Sequence, residues 1–403
     1  MFLLLRTPLL LSIPFLLNFY KNKTLFAVYQ ISIVVENEKT LPLPQKFQPI
    51  NCMQTLKLSD YSIFVGDFWA AFHDFLKEKQ YSKILVLADT NTEGACFQAF
   101  INQFPIKTHL ITIPAGEIHK NLNTCQTIWR QMFELGTDRK SLLINLGGGV
   151  IGDMGGFCAS TFKRGIDFVQ MPTTLLSQVD ASIGGKLGID FYNVKNSIGV
   201  FANPKAVFIS SEFLKTLSKR EILSGFAEIV KHALIVDKKR WRELLTITDL
   251  DSVEWSEFLV PSLKIKQKIA QQDPFEKGIR KALNFGHTIG HAIESAALET
   301  EHPLTHGEAI AIGMICESFL SKILRGMPQD DLTEITQFIL KHYGKYNIQQ
   351  FDFQHLISLM QQDKKNETGS INFSLLEKAG KVVINCTATP EQIENSLKFY
   401  MQL

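Results

Sequence analysis

A chain of 403 residues exceeds what one compact hydrophobic core organises, so two domains are expected. With 45% hydrophobic and 20% charged residues and a formal net charge of +2, the composition excludes a disordered or strongly basic chain, and no nucleic-acid partner is expected. The six cysteines are scattered and form no Cys-x-x-Cys pair, which fits reduced thiols in a cytoplasmic enzyme rather than a secreted disulfide scaffold.

From Phe2 to Phe19 the chain is almost wholly apolar, interrupted by Pro8 and Pro14 and followed by Lys21 and Lys23. Such a stretch reads as a signal sequence or a membrane anchor. The two prolines, the lack of a small-residue cleavage site and a Met53 at the edge of globular-looking sequence favour another expectation: residues 1–52 as an upstream extension, with Met53 the initiator. A membrane partner is expected only if residues 1–20 are a true anchor.

Residues 83–88 form a short apolar run that reads as a buried strand, and Asp89 stands where it meets a loop. A second strand is predicted at 109–113, followed by a polar turn through Glu117 and Lys120 and by a helix from Cys125 to Leu135. A third, 142–146, runs into Gly147-Gly148-Gly149-Val150-Ile151-Gly152-Asp153. Strands alternating with helices predict a largely parallel sheet. A glycine-rich turn that opens a helix lets backbone amides approach a pyrophosphate, and an acid after a neighbouring strand can accept hydrogen bonds from a ribose. Together they point to a nicotinamide dinucleotide, although the glycine spacing departs from the usual fingerprint.

Between Phe162 and Asn196, Lys163, Arg164, Lys186 and Lys195 lie among glycines, which suggests an anionic substrate bearing phosphate or carboxylate. After Ser211 apolar residues recur at helical spacing through 222–235, 258–269, 282–297, 308–324 and 332–342, with a strand-like 382–385 near the end. The expected domains are therefore 53–215 and 216–403, with the active site in the cleft between them. No internal repeat is visible.

His287 and His291 are four apart on one helical face, and His306 follows fifteen residues later, so three imidazoles nearly complete a zinc-type ligand set that still needs a carboxylate. Glu228 and Lys231, one turn apart in an apolar helix, read either as an ordinary ion pair or as a ligand with its neighbour; the missing carboxylate favours Glu228 as a ligand. Lys266, Glu276, Arg280 and Asn284 lead into the histidine segment, and Lys266 reads equally as a solvated helix residue.

These segments, in this order, resemble the 3-dehydroquinate synthase family over essentially all of residues 53–403. The resemblance rests on Gly147 to Asp153, Arg164-Gly165, Pro172-Thr173-Thr174-Leu175-Leu176, Val179 to Lys186, Lys195-Asn196, Glu228 to Lys231, Asn284 to His291, His306-Gly307-Glu308 and Asp363-Lys364-Lys365. It implies an α/β fold: a Rossmann-like N-terminal domain with a mainly parallel sheet that binds NAD, a mainly α-helical C-terminal domain that binds zinc or cobalt, and a homodimer. The implied metal ligands are Glu228, His287 and His306, and His291 moves to the neighbourhood of a substrate phosphate. Asp89, Glu117, Lys120, Gly148, Gly149, Val150, Asp153, Thr173, Thr174 and Lys195 would hold NAD. Asp180, Lys186, Asn196, Lys231, Lys266, Arg280, Asn284 and His291 would contact substrate, and Glu276 would assist proton transfer or orient its neighbours. Arg164 would reach the phosphate, with the dimer interface as one route, and Lys364 or Lys365 would add charge there.

The implied reaction turns 3-deoxy-D-arabino-heptulosonate 7-phosphate into 3-dehydroquinate and phosphate in the shikimate pathway of aromatic amino acid biosynthesis. It runs through transient oxidation by NAD, phosphate elimination, re-reduction and an aldol closure. Two residues depart from the family pattern: Thr305, where an apolar residue is expected before His-Gly-Glu, and Ile209-Ser210, where an acid often follows the strand. Other sugar phosphate cyclases, such as 2-deoxy-scyllo-inosose synthase and 2-epi-5-epi-valiolone synthase, are alternatives; Asn196, Lys266, Arg280 and the Asp363-Lys364-Lys365 segment favour dehydroquinate synthesis. An iron-type alcohol or glycerol dehydrogenase would have little use for Arg164, Lys186, Lys231, Lys266 and Arg280 together. From another class, an inactive membrane-tethered binding protein would not need the intact ligand set.

Overall fold

The computed structural model describes residues 53–192, 194–298, 300–362 and 371–403; the expectations on residues 1–52 and on Asp363, Lys364 and Lys365 lie outside the described residues. In chain order the first strands are β1 (Gln54–Lys57), β2 (Ser62–Val65), β3 (Ile84–Asp89), β4 (His109–Ile113), β5 (Leu142–Gly147), β6 (Asp167–Pro172), β7 (Lys186–Phe191), β8 (Val194–Phe201) and β9 (Ala206–Ile209). Seven of them form one sheet in the order β1-β2-β9-β6-β5-β3-β4, parallel except for the β1–β2 pair. Every residue of β5 is buried, as a central parallel strand covered on both faces requires. One face packs Val86, Ile144 and Leu146 on Phe68, Phe72 and Phe100; the other packs Leu85, Leu87 and Leu143 on Cys125, Ile128 and Met154.

The sheet topology places the dinucleotide crevice. β4 pairs with one side of β3 and β5 with the other, so the winding reverses between β3 and β5. Open α/β sheets bind ligands beyond the carboxyl ends of the strands at such a reversal. Asp89 ends β3 and Gly147 ends β5, so the acid and the glycine turn picked out in the sequence flank it.

Beyond β9 the chain is mainly helical, through Lys219–Val236, Ser256–Gln272, His287–Ala297, His306–Arg325, Gln329–Tyr343 and Pro390–Gln402. Leu175, Val179, Val207 and Ile209 share an apolar cluster with Phe226, Val230 and Leu263, which brings the carboxyl edge of the sheet onto the first of these helices. No helix among the described residues is long and apolar enough to cross a membrane.

One expectation is corrected and one extended. The stretch 282–297 is not one helix, because a 3-10 turn, Ile279–Asn284, ends before Gly286, whose φ of 80° precedes the helix His287–Ala297. A side chain on Gly286 would meet Met314 Cγ at 2.6 Å and the Ile310 carbonyl at 3.2 Å, so both its φ and its packing require glycine. Near the C-terminus, the single predicted strand is one arm of a hairpin of β10 (Asn372–Lys378) and β11 (Lys381–Thr387). Phe373, Ser374, Leu375 and Leu376 are all buried, so that arm lacks the alternation that would reveal a strand. Finally, β7 and β8 form a separate antiparallel hairpin; Leu187 and Ile189 pack with Phe157 of the Gly149–Thr161 helix.

Candidate active site

The helix Lys219–Val236 buries Glu228 and Lys231 completely, and their side chains form an ion pair one turn apart. Glu228 Oε1 lies 3.3 Å from His287 Nε2 and 3.5 Å from His306 Nε2. The rings of His287, His291 and His306 stand 5.1 to 5.7 Å apart between centroids. Although buried, neither Glu228 oxygen receives a hydrogen bond of good geometry, a costly state for a carboxylate. A divalent ion between Glu228, His287 and His306 would relieve it, and this mixed nitrogen and oxygen set suits zinc or cobalt.

The electrostatics agree. Burial, the largest influence, would raise the Glu228 carboxyl, but the Lys231 ammonium together with His287 and His306 outweighs it and holds the group well below its ordinary range. Burial and the Lys231 charge push His287 well below its usual value, leaving the neutral form that binds metal. Burial, the largest influence, would also lower His306, yet the Glu294 and Glu228 carboxylates together more than reverse this and lift it to about 9, so a metal ion would displace a proton there.

Asp180 sits in a single π-type turn, Ser177–Ala181, with Oδ1 2.7 Å from Lys266 Nζ. Lys266 is 4% exposed, so it is no solvated helix residue. Burial, the largest influence, works against ionisation of Asp180, but Lys266, Lys231 and the His232 hydrogen bond together outweigh it and keep the carboxyl far below the usual range. Asp180, Glu228 and His232 also converge closely enough to hold an ion, as do His287, His291 and His306. On the opposite wall, Glu276 pairs with Lys186 of β7 and accepts from Asn284 Nδ2 at 2.9 Å. Arg280, 3% exposed, donates to the Pro274 carbonyl at 2.7 Å and lies over the Gly184-Gly185 turn.

At the crevice, Gly148 caps the helix Gly149–Thr161, which presents Val150 and Asp153 in its first turns. Thr173 N donates to the Gly147 carbonyl at 3.0 Å, and Thr174 lies over Gly148. Lys120, 4% exposed, donates to Asp153 Oδ2 and to Asn196 Oδ1, both at 2.7 Å, with Glu117 at 4.0 Å. Lys195 of β8 pairs with Glu294 at 2.7 Å. Asp89 turns out to have a local task as well, since Oδ1 accepts from Asn91 N and Thr92 N at 2.9 and 2.8 Å and caps the next helical turn.

One predicted residue stands elsewhere. Arg164 is exposed beyond the C-terminus of the Gly149–Thr161 helix, a 13-residue span of about 20 Å from the glycine turn, and Lys163 is beside it. The predicted group of four cations therefore splits into Lys186 and Lys195 at the site and Lys163 and Arg164 at the other edge of the sheet. Lys163 and Arg164 have φ values of 50° and 68°; Asn196 (51°) and Glu276 (59°) share this left-handed conformation, which non-glycine residues keep mostly where surroundings or function impose it.

Three supporting residues escaped the sequence reading. Glu317, fully buried, accepts from the amides of Gly286, Thr288 and Ile289 and so caps the helix that begins at His287. Its only sequence signal is an acid inside the apolar run 309–320. Glu294 lies seven residues after His287, on the same helical face. Thr305, noted as a departure, is the N-cap of the helix that starts at His306 and forms a capping box with Glu308. Thr305→Leu is expected to lower unfolding free energy by about 1 kcal/mol. Chemical denaturation measures it, and an unchanged midpoint would show that the cap contributes nothing.

The fold, a parallel sheet with its reversal crevice followed by a helical half, is that of solved sugar phosphate cyclases and, less closely, of an iron-containing alcohol dehydrogenase. The structure is similar to 2-deoxy-scyllo-inosose synthase solved with carbaglucose-6-phosphate, NAD+ and Co2+ (TM-score 0.74, 21% identity, 86% of this chain and 99% of that one). It is equally similar to 2-epi-5-epi-valiolone synthase from Streptomyces hygroscopicus subsp. jinggangensis 5008, solved with NAD+ and Zn2+ (TM-score 0.74, 25% identity, 87% and 99% covered). An iron-containing alcohol dehydrogenase from Thermotoga maritima matches less well (TM-score 0.60, 13% identity, 87% and 100% covered).

The family models for the N-terminal and C-terminal parts of 3-dehydroquinate synthase match residues 110–224 and 225–366. The 3-dehydroquinate synthase of Parabacteroides distasonis is 42% identical over 345 residues, covering 84% of this chain and 97% of that protein. That of a Sulfurovum species is 41% identical over 323 residues, covering 79% and 90%. The chain belongs to the 3-dehydroquinate synthase family and is an enzyme of that family.

Proposed function

We propose that the protein is an NAD- and divalent-metal-dependent carbon–oxygen lyase that converts 3-deoxy-D-arabino-heptulosonate 7-phosphate into 3-dehydroquinate and phosphate. The observation that carries this assignment is the meeting of Glu228, His287 and His306 in one buried cluster, ringed by Lys231, His291 and Lys266. Residues 53–215 would supply the dinucleotide half and 216–403 the metal half.

NAD bound at the β3–β5 crevice would take and return a hydride, and zinc or cobalt held by Glu228, His287 and His306 would polarise the substrate oxygens. The protein's own side chains would do the rest. Lys266, Lys231 and Arg280 would hold the anionic groups, with Lys266 kept in place by Asp180. His291 would stand at the phosphate. Glu276, tied to Lys186 and Asn284, is placed to orient both or to relay a proton. The low water content of a buried cluster strengthens each of these charges.

The test is to incubate the protein with the heptulosonate phosphate, NAD and zinc and to follow phosphate and dehydroquinate together. Equal release of both is expected, and phosphate without dehydroquinate would reject the assignment. Five described cysteines, all buried and free, support a cytoplasmic location.

A homodimer is part of the same proposal, since Arg164 lies too far from the crevice to serve its own subunit. Mixing Arg164→Ala with Glu228→Ala protein under subunit exchange should restore activity that neither variant has. No recovery would place Arg164 outside the partner's site.

A further inference from the structure

We propose that Glu294 is a positioning residue of the metal site, which aims His306 Nε2 at Glu228 by accepting the hydrogen of His306 Nδ1. The inference rests on the ligand set Glu228, His287 and His306.

The two imidazoles differ in how they are held. His287 is 8% exposed, and its Nδ1 lies 3.1 Å from the Phe285 carbonyl within its own segment. A carbonyl only accepts, so Nδ1 carries the hydrogen and Nε2 presents its lone pair toward Glu228, 3.3 Å away. His306 lacks such a wall. It is the first residue of its helix, and its side chain is 25% exposed. A half-turn of that ring about Cβ–Cγ would put Cδ2 in the place of Nδ1 and Cε1 in the place of Nε2, taking both nitrogens off their partners, so something must fix the ring.

Glu294 does so. Its Oε2 lies 3.2 Å from His306 Nδ1, while His306 Nε2 stays 3.5 Å from Glu228 Oε1. A buried carboxylate could itself rotate, but Oε1 is held by Lys195 Nζ at 2.7 Å, which leaves Oε2 to the histidine. The chain Lys195, Glu294, His306, Glu228 thus runs from the β7–β8 hairpin to the centre of the metal site. A carboxylate behind a ligating imidazole fixes its tautomer and ring plane and raises its basicity.

Zinc affinity of metal-free protein, measured by competition with a chromophoric chelator, tests the inference. Glu294→Ala is expected to bind zinc about 10- to 100-fold more weakly than wild type. Glu294→Gln should recover part of the loss, because its amide oxygen can still accept from Nδ1. Glu294→Leu, which fills the same space, replaces the alanine variant should that fail to fold. Wild-type zinc affinity in folded Glu294→Ala or Glu294→Leu, even with a lowered melting temperature, would reduce Glu294 to a structural residue and overturn the inference. His306→Ala serves as the reference. If it binds zinc as tightly as wild type, the ligand set is wrong and the inference falls with it, an outcome distinct from normal behaviour of His306→Ala with an indifferent Glu294.

Discussion

Glu228→Ala is expected to abolish stoichiometric zinc binding and to lower turnover by about a thousandfold or more, since the several kcal/mol of charge stabilisation that a catalytic metal supplies correspond to that factor. The carboxylate is fully buried and is the acid that stands 3.3 and 3.5 Å from His287 and His306, so its loss removes the anionic ligand. It also strands Lys231, itself 1% exposed, as an ammonium without its counter-ion. Breaking one partner out of a buried pair costs about 3–5 kcal/mol, so the alanine variant should also unfold earlier. Glu228→Gln, which keeps the volume, separates the two effects. NAD affinity should change little in either variant, because the glycine turn and Asp89 lie at the sheet crevice. Retention of one tightly bound zinc per chain in both variants would show that Glu228 is not a ligand.

Glu317→Leu is expected to lower stability by about 3 kcal/mol or more, because each buried amide left without an acceptor costs about 1–3 kcal/mol. Three amides depend on this carboxylate: Gly286 at 2.7 Å, Thr288 at 3.0 Å and Ile289 at 3.1 Å. They form the positive end of the helix that carries His287 and His291, and a negative charge belongs there. Glu317 lies on the helix that begins with His306, so the contact also fixes the two histidine-bearing helices relative to each other. Zinc affinity should therefore fall together with stability. Urea unfolding of the metal-free protein measures the first effect, and a midpoint within error of wild type would contradict the role assigned to Glu317.

The chemistry of the site was readable where residue type and short spacing carried it. His287, His291 and His306 announced a metal-type cluster because imidazoles four apart share a helix face. Gly147 to Asp153 announced a phosphate-type turn because a strand running into glycines and then a helix presents free amides. Local signals were weaker where one residue serves two purposes, as at Asp89, whose carboxylate caps a turn with one oxygen.

By itself, then, the sequence determined the alternating sheet, the glycine turn, the helical half and the inventory of candidate ligands and cations, because these depend on periodicity and on neighbours a few residues apart. Only the tertiary structure decided the rest. The break before His287 depends on Met314 and Ile310, more than twenty positions onward, which leave no room for a side chain on Gly286. The burial of Lys266 depends on Asp180, and the separation of Arg164 from the other cations depends on the direction in which one helix crosses the sheet. Glu294 and Glu317 gained their roles only through His306 and the amides at 286–289. A charge inside an apolar helix carries no local record of what it will meet, and in this fold its partner comes from a different helix or strand.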